Sequence, residues 1–376
     1  MSRVTFDGEP PAGTINLGIG QPSRDLLPTD LLRRASEAFF AEAHPNDLNY
    51  GNRQGDQRFL SSLATYLTHG YGTAVDPETL FLTGSNSQAI DLVSGVFTEP
   101  GDTILVEEPT YFLALNIFRD HRLKIVCVPV DEQGLDLDAL EALVARHRPA
   151  FLYTIPSYHN PGGHCLSAER RRRLVELSLE QEFLIVADEV YQLLYYGEPP
   201  PPPLGSWIDG GSVLSLGSFS KILAPGLRLG WIQTSPTLRE KLMARGFVSS
   251  GGSINHVTSH IVRQAMDTGL LEKHVQELRA AYGARVEVMD QALHQHFAGI
   301  ARWLRPSGGY FFWLELDEAV DTAPVLPAAR QGRTGFQPGS LFSADGNLAH
   351  CLRLSFAHYG EADIVEGITR LRPLFD

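Results

Sequence analysis

Only three cysteines occur in the 376 residues, Cys127, Cys165 and Cys351, and no two of them form a CxxC pair. They are too few and too scattered for a disulfide scaffold or a zinc site, so a reducing, cytoplasmic setting is expected. Long apolar runs are missing too: none reaches the roughly 18 residues that suggest a membrane-spanning helix. The opening stretch MSRVTFDGEPPAGTINLGIGQP lacks the apolar core of a secretory leader. Positive charge is in short supply. Lys and Arg total 31 against 44 Asp and Glu, a net charge of −13, which disfavours nonspecific binding to nucleic acid or to an anionic membrane. There is no internal repeat, and one low-complexity piece, GEPPPPPLGSW (197–207), whose prolines predict an exposed, stiff loop.

What remains is an ordinary globular composition. Hydrophobic residues make up 43% and charged residues 20%, enough apolar sequence for a large core, and the length suggests about two domains. Short apolar runs alternate with amphipathic stretches through the middle of the chain. ETLFLTG, DTILVEEP, KIVCVPV, AFLYTIP, FLIVADEVY, SVLSLGS and LRLGWIQT read as strands. Between them SNSQAIDLVSGVF, YFLALNIFRD, DLDALEALVARH and SAERRRRLVELSLEQE read as helices, the last two begun by Asp136 and Ser167. This pattern predicts an α/β domain over about 45–255, a mostly parallel sheet covered by helices on both faces. The last third has a long helical region at about 255–296, the strands GGYFFWLEL and CLRLSF, and a final helix EADIVEGITRLRPLF. It predicts a smaller α+β domain over 256–376, with residues 1–44 packing on it.

Ligands of an open α/β sheet gather at the carboxyl ends of its strands, so polar residues just after apolar runs are the ones to inspect. Ser85, Asn86 and Ser87 follow FLTG and open a helix, where they could cap it or hold an anion. Tyr111 follows ILVEEP and could be core or stack on a planar ligand. Asn160 in HNPGG suits a turn. Asp188 follows FLIVA directly, with Tyr191 three residues on; it could be a helix cap or a buried carboxylate holding a cationic nitrogen. SLGSFSKILAPGLRLGW (215–231) is poor in charge yet carries Lys221 and, seven residues later, Arg228. Lys221 could be an exposed lysine, but one kept in so uncharged a setting can have a lowered pKa and attack carbonyls, while an arginine fork can hold a phosphate. A lysine for an aldehyde, an aspartate for a ring nitrogen, an aromatic for a ring face, and serine plus arginine for a phosphate together describe pyridoxal 5′-phosphate (PLP).

With these residues in place, the chain resembles the fold-type I PLP-dependent aminotransferases of class I/II, most closely the branch holding 2-aminoadipate and kynurenine aminotransferases. The resemblance runs from INLGIGQP to CLRLSF, and SFSKILAPGLRLGW is its most specific block. It implies that Lys221 is the catalytic residue, forming the internal aldimine and then moving the Cα proton in a ping-pong cycle between an L-amino acid and a 2-oxo acid. It implies Asp188 on the pyridinium nitrogen, Tyr191 and Asn160 on the ring O3′, and Tyr111 on the ring face. Ser85, Asn86, Ser87, Ser218 and Arg228 would hold the phosphate, with Tyr50 of NYGNRQG reaching the phosphate of a partner subunit in a homodimer. Arg353 of CLRLSF would grip the substrate α-carboxylate, with Gly20 and Asn160 beside the substrate. Two departures stand out: NPGG lacks a hydroxyl at Gly162, and the phosphate turn reads GSNSQ.

Arg24 of QPSRDLLP is a candidate for an acidic substrate side chain, or a solvated loop arginine. His256 and His260, four apart, offer too few ligands for a metal, and no metal is expected. The same cofactor cradle also serves β- and γ-lyases, decarboxylases and oxidase-like enzymes, so transamination stands beside those reactions. A PLP-sensing transcription regulator needs a DNA-binding module ahead of the domain. Fewer than 20 residues precede INLGIGQP, so none is expected.

Overall fold

The computed structural model describes residues 11–375. Eight strands form the main sheet: β1 (Leu80–Thr83), β2 (Thr103–Glu108), β3 (Lys124–Asp131), β4 (Gly134–Leu135), β5 (Phe151–Thr154), β6 (Leu184–Asp188), β7 (Val213–Ser218) and β8 (Gly230–Thr234). Their order in space is β1-β8-β7-β6-β5-β2-β3-β4. From β7 through β3 all neighbours are parallel; β8 runs against both β7 and β1, and the short β4 runs against β3. The predicted mostly parallel sheet is therefore present, with LRLGWIQT as its reversed member.

Each central strand sends alternate side chains into two separate cores, as a pleat buried on both faces requires. Phe151, Tyr153, Val186, Leu214 and Leu216 pack with Ala89, Ile90, Val93, Leu115 and Phe118 on one face. Leu152, Ile185, Ala187 and Val213 pack with Leu140, Val144, Leu174 and Leu177 on the other. The covering helices start where the sequence places them. Asp136 accepts from the amides of Asp138 and Ala139 to open Leu137–His147, and Ser167 accepts from Arg170 to open Ala168–Glu180. These caps satisfy amides that the first helical turn leaves without partners.

A second sheet of four short strands is antiparallel, with Phe311–Glu315 beside Cys351–Ser355 at its centre. Ile15–Asn16 pairs with Thr334–Gly335, and the Ser355 amide donates to the Leu17 carbonyl, so the start of the described chain joins this smaller unit. Residues 1–10, part of the segment expected to pack here, lie outside the described residues. The long helical region is two helices, His256–Asp267 and Leu270–Phe297, broken at Gly269 with φ 71°. The proline tract is more tightly held than its composition predicts. Gln192 donates to the Pro201 carbonyl, Arg171 to that of Pro202, and Pro203 is buried, so the side chains of neighbouring elements hold a segment expected to be exposed.

Candidate active site

The carboxyl ends of β1, β2, β5, β6 and β7 lie along one edge of the main sheet and deliver Ser85, Tyr111, Asn160, Asp188 and Lys221 there. Because β8 is reversed, its entry lies at the same edge, which brings Arg228 to Ser85, and the two side chains hydrogen-bond. Ser85 sits at the cap position of Asn86–Phe97 with φ 83° and makes no side-chain cap bond, so its hydroxyl serves Arg228 instead. Ser218 Oγ lies 2.9 Å from Ser220 Oγ and donates to the carbonyl of Leu229, the neighbour of Arg228, at 3.3 Å; Ser87 is exposed in the first helical turn.

Asp188 is 4% exposed. It accepts from Asn86 Nδ2 at 2.7 Å and from the Tyr153 hydroxyl at 2.8 Å. Burial raises its pKa above the usual carboxylate range, and the two hydrogen bonds pull the other way. Both partners are neutral, so the carboxylate is left with a demand for a cation. The Asn86 side chain thus faces Asp188 and the Leu216 carbonyl, not the Ser85–Arg228 pair where it was expected; its amide stays at the helix N-terminus. Sequence reading missed Tyr153. Its signal is a tyrosine inside FLYT, a strand buried at every position.

Lys221 Nζ donates to the Gly20 carbonyl at 3.1 Å and lies 5.0 Å above the Tyr310 ring. Burial brings its pKa down to about 8; the Arg353 charge adds to the fall and Asp188 opposes it. The Tyr191 ring is 6.0 Å from the same amine, and burial raises its phenol well above the ordinary value. Half-buried Tyr111 has its phenol pushed up to about 12, by burial first and then by Asp188.

Arg353 is 3% exposed, on the central strand of the small sheet. It donates to Asn160 Oδ1 and to the Gly18 carbonyl, both at 2.9 Å, and its Nε has no partner. Phe311, Phe342 and Phe112 ring the guanidinium at 4.0, 5.0 and 5.9 Å. Burial lowers its pKa to about 10. No carboxylate among the described residues pairs with it, so the site holds a cation equipped for one. Gly20 is required at its position: a Cβ there would meet the Phe311 ring at 2.9 Å and Arg353 Nη2 at 3.4 Å.

Two expected residues are exposed. Tyr50 is 85% exposed, and Arg24 is exposed in the short helical turn Arg24–Leu26. A further buried cluster, Glu107, His159 and His164, underlies the Asn160 turn, its ligand atoms within 4.8 Å of one another. The two imidazoles stack at 4.4 Å with planes 11° apart. An ion must lie in the plane of each ring that binds it, and two near-parallel planes do not share one. His159 instead accepts from the Gly162 amide and faces Glu107 at 3.2 Å, bracing the turn that carries Asn160.

The donor set fits PLP on its own chemistry: a lysine amine of lowered pKa, a buried carboxylate lacking a cation, an arginine–serine pair at a helix N-terminus, and an unpaired arginine facing the amine. This fold and site define a PLP enzyme of fold type I. The chain belongs to the aminotransferase class I and II family, whose model matches residues 12–371. It is 33% identical to aromatic-amino-acid aminotransferase 1 of Thermococcus litoralis, over 95% of this chain and 87% of that protein. It is 32% identical to the 2-aminoadipate transaminase of Thermus thermophilus, over 96% and 89%. The kynurenine aminotransferase of Pyrococcus horikoshii, solved with PMP, has the same fold with a TM-score of 0.90 and 31% identity, over 96% and 90%. The chain is a PLP-dependent aminotransferase that acts on amino acids and 2-oxo acids.

Proposed function

We propose that Lys221 is the reacting amine of this transaminase and that Arg353 grips the substrate α-carboxylate. The observation that carries this is the convergence, at one sheet edge, of a half-buried amine of lowered pKa with a buried arginine that has no carboxylate of its own. PLP, when bound, supplies an aldehyde for the amine and a conjugated ring that accepts electrons from the substrate Cα. Asp188, its carboxylate fixed by Tyr153 and Asn86, would hold a proton on the ring nitrogen. Arg228, Ser85, Ser87, Ser218 and the Asn86 amide would hold the phosphate, Tyr111 would lie on the ring face, and Tyr191 and Asn160 would bind O3′.

Arg353, steadied by Asn160 and the Gly18 carbonyl, orients the Cα–H bond toward Lys221 Nζ. The free amine would serve as the base that takes the Cα proton and gives it back, a role that suits a lysine with a pKa near 8. The deciding experiment incubates the protein with an amino acid and 2-oxoglutarate. Stoichiometric glutamate supports transamination; pyruvate with ammonia, or carbon dioxide, replaces it with a lyase or a decarboxylase.

The unit that binds the cofactor is residues 45–255, with 11–44 and 256–375 forming the smaller unit; the two separate sheets support this division. The active assembly is a homodimer in the cytoplasm. Tyr50 at 85%, Phe247 at 65% and Leu48 at 61% exposure are large apolar groups that a partner would cover. Sedimentation of the wild type and of Tyr50→Glu, with PLP affinity measured in parallel, tests whether Tyr50 serves the partner's phosphate site.

A further inference from the structure

Lys221 is one of four lysines in the chain, with Lys124, Lys241 and Lys273. The groups that face it come from five places. Gly20 offers a carbonyl, Asp188 at the end of β6 a negative charge, and Arg353 of the small sheet a positive one. Tyr191, in the turn after β6, and Tyr310, which leads into Phe311–Glu315, offer rings. Tyr310 is the nearer ring and touches Lys221 twice. Its face lies 5.0 Å from Nζ, and its hydroxyl donates to the Lys221 carbonyl at 3.2 Å. It is fully buried, wedged against Tyr191 at 5.5 Å and Tyr282 at 5.2 Å between ring centroids. A ring so confined cannot turn away, so both ends of one lysine are referred to one rigid side chain.

We propose that Tyr310 is the positioning residue for Lys221, its π-face holding the ammonium and its hydroxyl holding the backbone of the same residue. An aromatic face attracts a cation more strongly where little water reaches it, and Lys221 is partly withdrawn from solvent. Among the described residues nothing else supplies that contact at both ends: Gly20 holds only the amine, and Arg353 repels it. The ring belongs to the small unit and the lysine to the large one, so Tyr310 also ties the position of the amine to the packing between the two sheets.

The proposal rests on Lys221 being the reacting amine, which Lys221→Ala tests separately by loss of turnover. The test of Tyr310 uses the full chain freed of PLP, with its amines reductively methylated with ¹³C. Four lysines give a simple spectrum, and the Lys221 signal is the one missing from Lys221→Ala. In Tyr310→Leu the Lys221 midpoint should fall by roughly 0.5–1.5 pH units below wild type, the loss of one desolvated cation–π contact. Tyr310→Phe, which keeps the ring, should titrate with wild type. A Leu variant that titrates like wild type overturns the proposal, and so does a Phe variant that falls as far as Leu. If the Leu variant does not fold, Tyr310→Met carries the same comparison.

Discussion

Lys221 should make the cofactor-free protein less stable than it would be without the charge. Its pKa falls from 10.5 to about 8 on folding, chiefly through burial. At 1.36 kcal/mol per unit the charged amine costs about 3 kcal/mol, and the solvent contact that Lys221 keeps reduces this to roughly 1–3 kcal/mol. The sign follows from proton counting. Between about pH 8 and 10.5 the unfolded chain holds the proton and the folded chain has lost it, so stability rises with pH across that window. Below pH 8 both states are protonated and the cost is full and constant; above 10.5 it is gone. Lys221→Met keeps the length and removes the charge. Urea unfolding of both cofactor-free chains, at matched concentration, should show the variant more stable by roughly 1–3 kcal/mol at pH 7, with the gap closing by pH 10. Better packing by Met would give a gap that does not change with pH. A constant gap, or none at pH 7, refutes the reasoning.

Three other outcomes follow from the same geometry. Arg353→Gln removes the cation that faces the α-carboxylate and should lower kcat/KM by roughly 30- to 1,000-fold, with PLP absorbance retained. Tyr153→Phe deletes one of the two side-chain donors to Asp188; the loss of roughly 1–3 kcal/mol should weaken PLP binding roughly 5- to 150-fold in a fluorescence titration. Gly308→Ala places a Cβ 2.5 Å from both the Leu194 carbonyl oxygen and the Tyr158 ring. It should lower Tm by several degrees in calorimetry through an overpacking cost of roughly 1–3 kcal/mol, with wild-type spectra at low temperature.

Much of the site can be read from the chain because strand ends announce themselves. A polar residue straight after a buried apolar run, such as Asp188 after FLIVA or Lys221 within SLGSFSKILAPG, sits where the sheet opens to solvent. Helix starts at Asp136 and Ser167 are equally local, since a cap needs only its own next three residues. What the sequence hides depends on contacts distant along the chain. Asn86 meets Asp188 across 102 positions, and no local pattern tells its side chain apart from a cap. Tyr153 reads as one more core residue until Asp188 arrives beside it. The direction of β8 is hidden because an apolar run reads the same both ways. The proline tract illustrates the reverse error: composition predicts an exposed, stiff loop, and Gln192 and Arg171 bind its carbonyls while Pro203 is buried.

The reversed β8 has a consequence for the order in which the site assembles. Strands β7 and β8 are joined directly, so Lys221 and Arg228 come into place when one local hairpin closes. The Lys221–Gly20 contact spans 201 positions, and the Arg353–Gly18 contact spans 335. Closing such loops costs more chain entropy and brings the ends together later. The phosphate end also needs Ser85, 143 positions from Arg228, still a shorter span than either contact of the other end, so it should be competent first and the carboxylate end should arrive last, with the docking of the small sheet. In pulsed hydrogen exchange during refolding, amides of β7 and β8 should gain protection before those of Phe311–Glu315 and Cys351–Ser355. A chain caught between these stages could hold a phosphate and still have no grip on an amino acid.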